Sequence, residues 1–80
     1  MQDQHLLFEQ GKREALATLA SWRTLGWNSR EACRQHSLTT IKAELAHAKE
    51  EAIATKGTPS ERVWQRHIVY FEGHLAALGH

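Results

Sequence analysis

Apolar residues recur at helical spacing along most of the chain. Phe8, Ala15, Leu19 and Trp22 stand seven, four and three apart, with Leu16 beside them. That is the 3.6-residue period of a helix with one buried stripe, and it predicts a first helix over about residues 3–25. Gly11 interrupts the stripe at a cost of about 1 kcal/mol relative to Ala. It lies one turn before Ala15 on the same side, so a close helix contact or a frayed first turn would account for it.

Gly26-Trp27-Asn28-Ser29 breaks the pattern. Gly26 suits a left-handed helix end, and Asn28 with Glu31 three residues on reads as an N-cap with a reciprocal carboxylate. A short second helix is expected over 29–36, with Ala32, Cys33 and His36 on one face and Arg30 and Arg34 on the other. Ser37-Leu38-Thr39-Thr40 reads as a connection rich in capping residues. A third helix over about 40–56 follows, its inner stripe Ile41, Leu45, Ala48 and Ala52, and Gly57 ends it. Thr58-Pro59-Ser60-Glu61 combines an N-cap, a proline at the first helical position and a returning glutamate, which predicts a last helix over 59–78. The connection before it is about two residues, so the last two helices should form an antiparallel hairpin.

The last helix carries two adjacent stripes. One is Trp64, Ile68, Phe71, Leu75 and Leu78; the other is Val63, His67, Tyr70 and His74, spaced four, three and four. An apolar face that wide exceeds what one neighbour needs, so this helix is expected at the centre of the fold or against a partner chain. The pattern thus predicts an all-α bundle of three long helices plus one short one, a single domain over residues 1–80. Its expected core is Phe8, Leu16, Leu19, Trp22, Ile41, Leu45, Trp64, Ile68, Phe71 and Leu75.

Size changes the picture in one respect. A chain of 80 residues buries only about 60% of its unfolded surface and is marginal alone, so a metal, a disulfide or a partner subunit would help it. The single cysteine rules out a disulfide within the chain and suits a reducing compartment. The opening Met1-Gln2-Asp3-Gln4-His5 lacks a basic region followed by an apolar one, and no window approaches the ~20 apolar residues of a membrane span. A cytoplasmic protein without membrane association is expected. Ten Lys+Arg against nine Asp+Glu give a net charge of +1, the balance neither of a DNA-coating protein nor of an acidic nucleic-acid mimic.

Candidate chemistry is sparse. Cys33 and His36, three apart on a helix, are weak candidate metal ligands, and His67 and His74 would extend them to a Cys/His₃ set of the kind zinc accepts. His67 and His74 are about 10 Å apart by helical rise, however, too far to share one ion easily. The same Cys33–His36 pair is the one candidate nucleophile and base. No carboxylate partner, glycine-rich oxyanion loop, phosphate loop or evident small-molecule pocket accompanies it, so neither an enzyme nor a cofactor is expected.

The segment 29–45 has the outline of a helix-turn-helix. Arg30, Arg34, Gln35, Thr39, Thr40 and Lys42 would face phosphates or base edges. Against this, the turn has no glycine, and Glu44, Glu50 and Glu51 on the second helix would repel a phosphate backbone.

Aromatic content points elsewhere. Trp22, Trp27, Trp64, Tyr70 and Phe71 are many for one small core, and Trp and Tyr are common interface anchors. The leading expectation is a non-catalytic regulatory or accessory module that binds a protein partner or pairs with itself, through Trp27, Val63, His67, Tyr70 and His74. A DNA-binding regulator is the alternative and a metal-responsive protein the third. Six histidines also permit a response between pH 5 and 8.

Overall fold

Three helices form over residues 2–79, which the computed structural model describes: α1 (Gln2–Ala20), α2 (Arg30–Ala54) and α3 (Pro59–Ala77). The architecture is all-α, but the expected short second helix is not a separate element. It runs on through Ser37-Leu38-Thr39-Thr40 into the expected third helix. Nothing in that stretch breaks a helix, since it holds no Gly or Pro. The Thr39 hydroxyl donates to the Gln35 carbonyl at 3.1 Å, so the polar side chain bonds back to the preceding turn from within the helix. Leu38 and Ile41 pack against the core, which gives the segment a reason to stay helical.

The helix ends follow local chemistry. α1 closes at Ala20, five residues before the expected end, where the Ser21 N–H is shared between the carbonyls of Ala17 and Thr18. The chain then descends in turns to Gly26, which takes the left-handed conformation at φ 89°. Ser29, not Asn28, caps α2, accepting from the Ala32 N–H at 3.0 Å. Pro59 opens α3 as expected, but the Thr58 hydroxyl donates back to Thr55 O. Glu61 takes the Gly57 N–H at 3.0 Å in place of that of Thr58.

α3 lies between the other two helices and contacts both along their length. Asp3 meets Arg66 and Gly11 packs on Tyr70 and His74, so α1 and α3 run parallel. Arg34 reaches Leu78 and His47 meets Trp64, so α2 runs antiparallel to α3. α1 and α2 touch little; near their connection the Cys33 thiol lies 3.8 Å from Thr18 O. Extents of 44 × 24 × 19 Å describe an elongated body in which α3 lies between the other two helices.

The α1–α3 crossing is close because both helices present glycine there. A Cβ on Gly11 would collide with Tyr70 O and sit 3.0 Å from His74 N, and one on Gly73 would collide with Phe8 O. Gly11 thus serves close packing, and Gly73 is its unforeseen counterpart.

The core gathers at the end of the body where α1 meets α2. Leu19, Leu75, Leu78, Ala15 and Cys33 are buried, with Trp22, Trp27, Leu38, Ile41, Leu45 and Ala77 packed on them. Each buried leucine contributes about 2 kcal/mol. Leu16, expected inside, is 50% exposed: it stands about 100° round the helix from Ala15, off the stripe that faces α3. Phe8, Trp64, Ile68 and Phe71 are half-buried. Among the described residues, no helix is long and apolar enough to cross a membrane.

Candidate interaction surface

Val63, His67, Tyr70 and His74 fall on one side of α3, as their spacing requires. Their depths differ. Val63 is 51% exposed and His67 is exposed, Tyr70 is half-buried, and His74 lies beneath them, buried. His47 of α2 completes the surface. Its ring meets Trp64 edge-on at 5.4 Å, Trp64 meets His67 at 5.1 Å, and His67 meets Phe71 at 6.2 Å. Phe71 then contacts Tyr70 at 5.5 Å and Tyr70 contacts His74 at 5.8 Å. Edge-on pairs at these separations favour one another beyond the area they bury, so the six rings form a continuous ladder.

α1 closes the ladder's far edge through one polar contact. The Tyr70 hydroxyl donates to Glu14. Burial and this bond to a carboxylate push the phenol up to about 12. The same bond, helped by Gln10 at 2.9 Å, holds the Glu14 carboxyl below its ordinary range. His74 Nδ1 is buried with no hydrogen-bond partner among the described residues. Burial lowers the His74 pKa, and the nearby Glu14 charge opposes that shift in part. Sequence alone marked the α3 members by their shared stripe. It gave no sign of His47 or Glu14, which reach the surface only through the packing of α2 and α1.

Trp27 lies apart from this group. Its ring stacks on His36 at 4.8 Å and it packs on the core cluster. His36 is eleven residues from His47 along α2, about 16 Å by helical rise. The expected five-residue surface is therefore four residues on α3, with Trp27 outside the ring ladder, on the core cluster at the C-terminal end of α3.

The residues expected to meet nucleic acid do not converge, because the segment is one continuous helix without the turn that a helix-turn-helix needs. Arg34 is engaged inside the chain. Its guanidinium pairs with both oxygens of Glu31, at 2.9 and 2.8 Å, and donates to Leu78 O at 2.8 Å. It satisfies a carbonyl at the end of α3, where a cation also complements the helix dipole. Arg34, with Gln35 at 2.9 Å, holds the Glu31 carboxyl down at about 2. Arg30 and Lys42 are exposed, Thr39 bonds Gln35, and the Thr40 hydroxyl lies 3.5 Å from His36 Nε2.

Cys33 and His36 diverge as well. The thiol is buried in the core, while His36 is exposed against Trp27. Among the described residues, no three His, Cys, Asp or Glu side chains gather as a metal site would need. The chain matches no protein-family model, no curated protein and no solved structure.

Proposed function

We propose that the protein is a non-catalytic, protein-binding regulatory or accessory module. Its contact surface is the α3 flank of Val63, His67 and Tyr70, extended by Trp64 and His47. The observation that carries the reading is the ring ladder, in which the His47 and His67 rings stand exposed. Aromatic side chains that combine a broad apolar body with a polar tip are the residues that anchor protein interfaces. Val63, half exposed at the start of the ladder, adds an apolar contact. Burial of Cys33 away from His36 leaves the one candidate nucleophile without its base.

The test compares wild type with a His67→Ala, Tyr70→Ala double variant, each checked for helicity. Both are used to capture partners from a native lysate, and each captured partner is then rebound in purified form. The wild type should retain a partner that the variant loses, and hydrogen exchange in the complex should slow over residues 63–74. Equal binding by both proteins would reject the surface. So would salt-sensitive binding to duplex DNA that disappears on Arg30→Ala with Arg34→Ala, because electrostatic phosphate contact would then be the main activity.

A further inference from the structure

The side of α3 opposite the ring ladder is uncovered. At 100° per residue, Gln65, Ile68, Glu72 and Ala76 point away from Val63, His67, Tyr70 and His74. Two open clefts lie along this second side. One, about 410 Å³, is lined by Ala52, Ile53, Lys56, Gln65 and Ile68; the other, about 390 Å³, by Phe8, Leu45, Glu72, Leu75 and Ala76. Lys49 lines both, so they form one trough over α3 with α2 as its wall. The crest of that wall is Ile53, the most exposed large apolar residue described, at 76%.

The charges along the trough separate by helix. Lys49 stands on α2, Lys56 in the turn just beyond its end, and Glu72 on α3. None of the three has an ion-pair partner among the described residues. Glu61, also on α3, is held by the Gly57 N–H. One edge is therefore basic, the neighbouring strip is acidic, and an apolar ridge stands beside an apolar trough.

We infer that this face pairs two copies of the chain as a two-fold dimer. A self-complementary patch is what such an interface requires. An axis parallel to the helices, passing between α2 and α3, lays α2 of each copy into the trough over α3 of the other. Ile53 then enters the partner copy's cleft beside Ile68, and Lys49 of each copy faces Glu72 of the other. The pairing also adds large buried side chains to a core whose largest fully buried members, among the described residues, are Leu19, Leu78 and Cys33. It uses the side away from the ring ladder, so it stands or falls independently of the partner surface proposed above.

Sedimentation equilibrium across a concentration series tests it. Wild type should be dimeric. Ile53→Asp, at a site too exposed to disturb the monomer fold, should leave a folded monomer by circular dichroism. Lys49→Glu and Glu72→Lys should each weaken the dimer by about tenfold or more. An equimolar mixture of those two variants should restore it as a mixed dimer, because one ion pair then re-forms with reversed sign and the other with its original sign. A monomeric wild type, a dimer indifferent to Ile53→Asp, failure of the mixture to recover, or a dimer broken instead by Val63→Asp would overturn the assignment.

Discussion

Gly11 and Gly73 lie against each other's helices at the α1–α3 crossing, each leaving out a Cβ that the opposite backbone would strike. Gly11→Ala gains about 1 kcal/mol of helix propensity. Overpacking costs typically 1–3 kcal/mol and more where backbone must move. The struck atoms are backbone, so the net change should be a loss of about 2 kcal/mol, and the same holds for Gly73→Ala. Urea unfolding decides it; stabilisation by either alanine would mean that the helices do not cross at this distance.

His74 sets a direction for pH. Its pKa in the folded chain lies below its ordinary 6.5, because burial disfavours the imidazolium more than Glu14 favours it. The unfolded chain binds the proton more readily, so this contribution is complete above about pH 6.5 and is lost as pH falls towards the folded-state pKa. His74→Gln should flatten the stability profile between pH 7.5 and pH 5.5, measured by thermal unfolding. An unchanged profile would assign the slope to other groups.

Tyr70 is the single tyrosine, so its ionisation is readable by ultraviolet difference absorbance. The phenol should titrate near 12. Glu14→Gln removes the carboxylate and should bring it back towards 10, leaving only the part due to burial. Titration near 10 in folded wild type would show that the hydroxyl is not bonded to Glu14.

Arg30 and Arg34 should behave unequally. Arg30→Ala removes an exposed side chain that makes no hydrogen bond or ion pair among the described residues and should leave the melting temperature unchanged. Arg34→Ala should lower it, since it frees both Glu31 and Leu78 O. Equal effects in thermal melts would reject the capping role.

The Cys33 thiol, 1% exposed, should resist an aromatic disulfide reagent in the native protein and react fully in urea. Fast native labelling would place it outside the core.

The outline of this fold was readable where local chemistry decides it. Gly26, Gly57 and Pro59 mark helix boundaries through backbone conformation, which a sequence states directly. Ser37-Leu38-Thr39-Thr40 misled because hydroxyl residues serve caps and mid-helix back-bonds equally well, and Leu38 packing on the core decides between them. Leu16 misled because an apolar residue 100° off the stripe looks central when the helix is expected to be wrapped on several sides. In this fold α1 meets only α3 closely. The candidate surface was legible in its α3 half, where spacing alone aligns Val63, His67, Tyr70 and His74. Its other half, His47 and Glu14, depends on how two further helices settle, and no local pattern encodes that.

The parallel arrangement of α1 and α3 also bears on the order of assembly. α2 and α3 are joined by a tight turn and can zip together from it, whereas the Gly11–Gly73 contact must close a loop that contains all of α2. Contacts far apart in sequence form late, because chain entropy is lost before they reward it. The route that follows is a fast hairpin onto which α1 docks last. The same helix is then the first to leave in the native state, and its amides should exchange by undocking while those of α2 and α3 wait for global unfolding.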